Sequence, residues 1–294
     1  MVEGDTSETS SRSRGGSDAL ADYFDTLRTE QRSMEEYGGV TVLDTTADIE
    51  VLSSAASGSQ ILGELHVTRT VAELPEGELW EEVLPVTLEI GSDGALDVLS
   101  VGVQDSVVSE SETVASSSVP AVSGIDVPAT YEPDLHVAVA AKLSKTKAIN
   151  YAKKWWNGRN KVYPTRYTND CTNFVSQVMH QGGWTTVSGI YTSNKAWWYN
   201  GIPNGSYTWG GAENFYRFAV HESKRASALK NVADLWLGDI LQYEKKGESK
   251  IKHRMVVTNW INKVPYLTYH TTDTLNKPFT AMKSMDVTWY ASHT

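Results

Sequence analysis

The sequence predicts an α+β protein made of two unlike parts. In each part, apolar residues at helical spacing come first and strand-like runs follow. The charge changes sharply between the parts: residues 1–141 carry 5 Lys/Arg against 27 Asp/Glu, a net charge of −22, and residues 142–294 carry 21 against 9, a net charge of +12. Nine of the ten Trp lie at or after Trp155. A shift of this kind marks a domain boundary, and 294 residues suffice for two domains.

Composition excludes several classes of protein. No apolar run approaches the roughly 20 residues that span a bilayer. The single cysteine excludes an internal disulfide framework and a Cys-rich zinc site. Lys and Arg are scattered without a compact basic run, so nucleic acid is not an expected partner. The first residues are polar and acidic, which indicates either a cytosolic protein or a numbering that starts after a removed leader.

The N-terminal part is predicted to be a small module over residues 17–104. Residues 1–16 are Ser/Gly-rich and are expected to be disordered. A helix capped by Ser17 ends at Gly38-Gly39. The strand-like runs that follow are Val40–Leu43, Ile49–Ser53, Ile61–Val71, Leu79–Ile90 and Leu96–Val103, with Asp93-Gly94 as the last hairpin turn. One helix packed on such a meander resembles the cystatin-like or nuclear-transport-factor-like (NTF-like) shape.

Residues 105–141 read as an acidic linker rich in Ser, Val and Pro. Beyond it, residues 142–294 form the second predicted domain. Ser144 caps a helix that Gly158 closes, a cysteine helix ends at Gly182-Gly183, and another helix is expected at about 211–222. The expected strands are Ile240–Tyr243, Arg254–Ile261, Tyr266–Thr271 and Val287–Tyr290.

The stretch Asn169–Gln177, with the sequence NDCTNFVSQ, places Cys171 in the first turn of its helix. Asn and Asp suit an N-cap, and the apolar stripe begins only at Phe174. Free N–H groups and the helix dipole at such a position stabilise a thiolate, so we expect the pKa of Cys171 to lie below the ~8.5 of a free thiol. A nucleophilic cysteine is therefore indicated, and a buried, inert cysteine is the alternative.

Helices followed by an antiparallel meander, with a thiol at a helix start, form the papain-like arrangement. The motifs AINYAKKWW (148–156), NDCTNFVSQ, LWLGDILQYE, HRMVVT and LTYHTTDTLNKP resemble the bacterial putative amidase domain family over about residues 145–294. That family belongs to the papain-like cysteine peptidase superfamily with the NlpC-type and CHAP-type domains. The resemblance implies a papain-like α+β domain, a thiol amidase or peptidase that needs no cofactor or metal, and a secreted or cell-wall-associated protein.

A cysteine amidase needs a histidine base that works in both protonation states near neutral pH. Seven histidines are available, and His253 and His270 are the remaining candidates. The others are set aside because they lie at the terminus (His293), outside the matching domain (His66 and His136), at the far end of the cysteine helix (His180) or without a convergent partner (His221). If Asn262-Lys263 is a two-residue hairpin turn, His253 faces Thr272 and His270 is its diagonal neighbour on the same face. The family motif favours His253 as the base. His270 is then its orienter, and Asp273, on the other face, is the runner-up.

The superfamily also implies a substrate role for Asp170, since the acidic residue before the cysteine can hold a substrate amine; helix capping is its other role. Trp209, with Trp197 and Trp198, is a candidate platform for a sugar or peptide face, or a core residue. The backbone N–H of Cys171 is expected to bind the oxyanion, with a second donor that the sequence does not identify.

These residues favour a cysteine amidase or peptidase that works through a thioester, and the resemblance implies amide bonds of cell-wall peptide as its substrate. A non-catalytic wall-binding module on a papain-like frame and a thiol acyltransferase are the alternatives. The opposite charges of the two parts further suggest that the acidic N-terminal half docks on the basic C-terminal domain and limits its access to anionic wall polymer. A solvated linker is the alternative for the acidic residues.

Overall fold

The computed structural model describes residues 15–54, 60–91, 96–102, 143–164, 170–201 and 205–294. The helices in these ranges are α1 Gly15–Tyr37, α2 Lys145–Trp155, α3 Cys171–Gln181, α4 Tyr207–Gly210, α5 Ala212–Tyr216 and α6 Phe279–Met282. A π-helical turn, Arg217–Glu222, extends α5, and a 3-10 turn lies at Val232–Asp234. None of these helices is both long and apolar enough to cross a membrane.

The strands join one large antiparallel sheet. Their bounds are β1 Val42–Ser54, β2 Gln60–Val71, β3 Trp80–Ile90, β4 Leu96–Val101, β5 Ser227–Leu229, β6 Ile240–Lys245, β7 His253–Ile261, β8 Val264–Tyr269, β9 Asp273–Pro278 and β10 Val287–His293. The strand order is β1-β2-β3-β9-β8-β7-β6-β10-β5, with β4 also paired to β3. The chain is therefore a mixed α+β protein with a large antiparallel sheet. Its division into cystatin-like and papain-like parts stays a prediction.

Local sequence signals place most N-terminal elements. Gly38 and Gly39 end α1 with φ values of 66° and 80°, a conformation that suits glycine. The two short runs predicted between residues 40 and 53 are one strand, β1, which pairs along its length with β2. The Asp93-Gly94 turn, the linker 105–141 and residues 1–14 lie outside the described residues.

The N-terminal strands reach the C-terminal part through β3, which pairs with β9 from Glu81↔Leu275 to Val83↔Asp273. Buried charges surround this junction: Lys277 Nζ donates to Glu82 Oε1 at 2.8 Å and also to Glu30. The strand β9 was not predicted, because its polar sequence DTLNKP lacks the apolar alternation of a half-buried strand. The predicted division into domains, and the predicted effect of the acidic half on substrate access, stay predictions.

In the C-terminal part, α2 and α3 pack on one face of the sheet. Ser144 caps α2 as predicted, its hydroxyl accepting from the Lys147 N–H. On this α3 face, Ile240 and Val256 pack with the apolar side of α3 and with a group of aromatic side chains, Trp184, Trp197, Trp209, Phe215 and Phe218. The opposite face holds a second core that includes Leu241, Met255, Val257, Leu267 and Tyr269. Alternate residues of β7 therefore face different cores.

Candidate functional site

Cys171 is the first residue of α3, at the helix start that the sequence predicts. Its side chain is buried, with Sγ 3.9 Å from the carbonyl oxygen of Lys252 and 3.8 Å from the hydroxyl of Thr172. The first N–H groups of a helix lack partners within the helix, so they are directed toward the region of the thiol. The thiol thus lies between a helix N-terminus and the backbone before β7.

The expected low pKa of Cys171 is wrong. Burial raises the pKa of the thiol, because a thiolate loses its hydration in the protein interior. The guanidinium of Arg254, the hydroxyl of Thr172 and the backbone N–H of Arg254 act in the opposite direction without reversing the shift. The sequence showed the helix start but not that the sheet covers it.

Asp170 occupies the N-cap position of α3, yet its carboxylate makes no capping hydrogen bond. The side chain is fully buried and lies 3.1 Å (Oδ1) and 3.2 Å (Oδ2) from Nδ1 of His270. It also lies 3.2 Å from Nε of Arg159. These contacts leave Asp170 inaccessible to a substrate amine in this structure, contrary to the expected substrate-binding role.

His270 is buried on the α3 face, where its ring stacks on Phe174 with centroids 3.9 Å apart. Its Nδ1 faces Asp170, and its Nε2 lies 2.7 Å from the carbonyl oxygen of Trp155. Both partners are acceptors, and a neutral imidazole has only one N–H, so only the doubly protonated ring donates to both. His270 is therefore held as the partner of Asp170 and is not in contact with His253.

Asp273, the runner-up for the third role, pairs with Arg159 instead of with a histidine. The two N–H groups at the end of that guanidinium meet the two carboxylate oxygens at 2.9 Å each. Arg159 is partly exposed and also reaches Asp170, so it bridges the two carboxylates. Arg159 thus links Asp273 to the buried Asp170–His270 pair.

The predicted pairing of β7 with β8 is correct next to the hairpin turn and wrong near the two histidines. Ile261 pairs with Val264 as expected, but a bulge between Val257 and Asn259 shifts the ladder by one residue, so that Val256 pairs with Thr268. A shift of one residue moves side chains to the other face of the sheet. The expectation that His253 and His270 share a face is wrong for this reason.

His253 lies on the face opposite α3. It pairs across the sheet with Tyr243, their rings 5.2 Å apart, and meets Tyr269 edge-to-face at 4.9 Å. Burial, together with the nearby charge of Arg254, lowers the pKa of His253 to about 3, so the ring is neutral at neutral pH. In the described part of the chain, no hydrogen bond joins His253 to Cys171 or His270.

Trp209 is a core residue. It is buried, it donates from Nε1 to Asn173 Oδ1 at 2.8 Å, and its ring lies 4.8 Å from that of Trp197. Of the two roles open for Trp209, the structure has the core role, because the aromatic stretch packs against α3. Its Asn173 contact instead fixes the first turn of the cysteine helix.

Arg254 is a further candidate site residue, which the sequence motifs did not single out. It is fully buried on the α3 face, and its charge is the strongest influence that lowers the pKa of the Cys171 thiol. The available signal was an arginine inside the apolar strand sequence HRMVVT. Such a residue is almost never buried without a partner, so it marks a special site.

Comparison with known proteins gives two relatives from Bacillus subtilis (strain 168). The uncharacterized protein YhbB is 30% identical over 120 residues, which are 40% of this chain and 38% of YhbB. The uncharacterized protein YjcM is 27% identical over 138 residues, which are 45% of this chain and 31% of YjcM. The aligned part thus spans less than two-fifths of either relative. No solved structure matches the chain significantly.

Residues 142–292 match the family described as the putative amidase domain. The matched range contains Cys171, both candidate histidines and Arg254, and it begins just before α2. An amidase hydrolyses C–N bonds, so the match indicates amide hydrolysis as the activity of this half. Since the match spans half of the chain, the chain belongs to the putative amidase domain family.

Proposed function

We propose that this protein is a cysteine amidase or peptidase that hydrolyses amide bonds through a thioester of Cys171. The observation that carries the proposal is the position of this thiol at the first residue of α3, beside a buried cation and a buried Asp170–His270 pair. Buried ionisable groups gathered around one nucleophile are typical of catalytic sites. The family supports amide hydrolysis, and the thiol supports nucleophilic catalysis through a thioester.

In the proposed reaction the Cys171 thiol gives its proton to a base, and the sulfur attacks the amide carbonyl carbon. The C–N bond breaks, the amine leaves with the proton from the base, and the acyl group remains on sulfur. A water molecule then gives a proton to the base and its oxygen to the acyl carbon, which releases the carboxylic acid and the thiol. Backbone N–H groups at the start of α3 would stabilise the oxyanion.

We assign the base to His253. Both ring nitrogens of His270 already face acceptors, so His270 is engaged with Asp170 and Trp155. Burial lowers the pKa of His253 to about 3, so His253 would act as a base near neutral pH only outside its buried position. The thiol lies 3.9 Å from the carbonyl oxygen of Lys252, the residue before His253. His253 begins β7, so a rotation of the backbone at this strand end would be needed to bring its ring to the α3 face. His270 acts through Asp170, holding the start of α3.

The proposed substrate is bacterial cell-wall peptide, and the proposed location is outside the cell or at the wall. Digestion of purified peptidoglycan, read by mass spectrometry, tests activity and bond together. We expect new amine and carboxylate ends with the wild type and a loss of at least about 10³-fold with Cys171→Ala. Cys171→Ala should remain folded by circular dichroism. Equal hydrolysis by a folded Cys171→Ala protein would refute the cysteine mechanism.

Paired histidine variants test the base. We expect His253→Ala to reduce kcat more than His270→Ala, since losing a base costs more than losing a positioning residue. Asp273→Ala is the matched control. A larger loss with His270→Ala would give the base role to His270, and a larger loss with Asp273→Ala than with His270→Ala would give Asp273 the third role.

A non-catalytic wall-binding module is the second candidate. It is favoured by the burial of Cys171, by its raised pKa, and by the separation of His253 from it. This candidate predicts that the wild type sediments with purified peptidoglycan and leaves its bonds intact. The mass spectrum of the same digest therefore separates the two candidates.

A further inference from the structure

Arg254 is the second residue of β7, and none of its side chain reaches solvent. Its guanidinium lies over the ring of Phe215, 3.6 Å from the ring centroid. Across the sheet it pairs with Gln242, which is also buried. The cation is thus held in a fixed position by the core of the α3 face.

The hydrogen bonds of Arg254 are incomplete. Nη2 donates to the carbonyl oxygen of Ala212 at 2.8 Å, an acceptor that Gln242 Nε2 also shares at 3.2 Å. Among the described residues, Nε and Nη1 are buried without a partner, and no carboxylate forms an ion pair with this guanidinium. Leaving a buried cation with unused donors is costly, so such a group indicates an anion that completes it.

The unused donors belong to the strand end that lies against the nucleophile. The carbonyl oxygen of Lys252, two residues earlier, is 3.9 Å from the Cys171 sulfur, and the backbone N–H of Arg254 also interacts with that sulfur. Three other ionisable groups of the cluster, Arg159, Asp170 and His270, are engaged with one another. Among the described residues, Arg254 is therefore a fully buried cation near the thiol with donors left for a ligand.

We propose that Arg254 binds a carboxylate of the substrate next to the scissile amide, so that the protein acts on acidic peptides. Guanidinium and carboxylate form strong, directional hydrogen bonds, and desolvation makes them more selective. The identification of this anion as part of a cleaved peptide rests on the proposed function. The inference that Arg254 binds an anion rests on its burial and its unused donors alone.

Alkylation of Cys171 by two reagents tests this site without using amide hydrolysis. Iodoacetate carries a carboxylate, and iodoacetamide is its neutral analogue of nearly equal size. We expect the ratio of their rate constants, iodoacetate over iodoacetamide, to fall by about tenfold in Arg254→Gln, the effect of losing one charge-assisted hydrogen bond. Arg254→Lys should keep most of the wild-type ratio. Lys246→Gln removes an exposed charge and should leave it unchanged.

A second measurement needs no variant. Glutarate should slow the labelling of wild-type Cys171 by iodoacetamide, and its neutral counterpart glutaramide should not. The proposal is overturned if the reagent ratio is the same in Arg254→Gln, if glutarate and glutaramide act alike, or if the wild-type thiol reacts with neither reagent. A fall in both rates at a constant ratio would also overturn it, since Arg254 would then act only on the thiolate.

These results separate this inference from the proposed function. If the reagent ratio falls in Arg254→Gln while peptidoglycan stays intact, the anion site is real and the amidase proposal fails. If peptidoglycan is cleaved and the ratio is unchanged, the amidase proposal holds and Arg254 does not bind a carboxylate.

Discussion

Arg69 and Arg254 are both buried arginines stacked on an aromatic ring. Arg69 lies 4.0 Å above the ring of Trp80, and Arg254 lies 3.6 Å above that of Phe215. The first is at the junction of the N-terminal strands with β9, and the second is beside Cys171. Each is less than 5% exposed. Burial and stacking are therefore alike in the two regions.

Their counter-ions differ. Arg69 donates to Glu82, which also accepts from Lys277, and Lys277 in turn reaches Glu30. Burial alone would raise the pKa of Glu82, but Lys277 and Arg69 outweigh burial and lower it. Arg254 has no such partner among the described residues. A buried charge that is paired with an opposite charge can join two parts of a fold. A buried charge without such a partner is available to a ligand.

The largest expected effect is at the junction. Lys277→Met leaves the buried pair Glu30 and Glu82 with Arg69 as their one remaining cation among the described residues, and breaking a buried pair costs about 3–5 kcal/mol of unfolding free energy. Urea denaturation measures this loss. The control is Lys246→Met, whose exposed pair with Asp286 contributes about 0–1 kcal/mol. If the two variants lose equal stability, the junction is not held by its charges.

An effect of intermediate size is expected in the pH dependence of the unfolding free energy, through His253, which lies next to Arg254 in the chain. The folded-state pKa of His253, about 3, lies below its unfolded value of 6.5, so the unfolded chain binds the extra proton first. Stability should fall as pH drops below 6.5, by about 1.4 kcal/mol per pH unit, or about 2.7 kcal/mol by pH ~4.5.

The measurement is the unfolding free energy of the wild type minus that of His253→Gln across this range. The exposed His221→Gln variant serves as the control. A difference that does not change with pH would show that His253 is solvated or charged in the folded protein. In Arg254→Met the fall in unfolding free energy at low pH should be smaller, since one cause of the low pKa of His253 is removed.

The smallest effect on the unfolding free energy is expected at Arg254, whose charge has no counter-ion among the described residues. Arg254→Met should change the unfolding free energy by no more than about 1 kcal/mol, because the hydrogen bond to Ala212 is lost while an unpaired buried cation is removed. Denaturation beside Lys277→Met gives the comparison directly. A loss of the same size as that of Lys277→Met would make Arg254 a structural residue, and the contrast between the regions would disappear.

Residues near one another in the chain were predicted well. The start of α3 at Cys171, the Ser144 cap and the glycines after α1 depend on backbone preferences of a few residues, which a sequence displays directly. The Asn262-Lys263 turn was also predicted correctly, because it pairs neighbouring residues. The strand β9 was missed, since its buried polar residues, Asn276 and Lys277, are satisfied by distant partners.

The sequence by itself determined where the cysteine helix begins, which residue types it offers for chemistry and how charge divides between the two parts. Tertiary structure alone decided which groups meet. A one-residue bulge near Thr258 places His253 and His270 on opposite faces of the sheet. No local propensity of the sequence specifies such a shift. Asp170 finds His270 across 100 residues, and Arg254 is buried beside Cys171 only because the sheet covers the start of α3. These contacts depend on the packing of elements far apart in sequence, where the free energy of burial outweighs local preference.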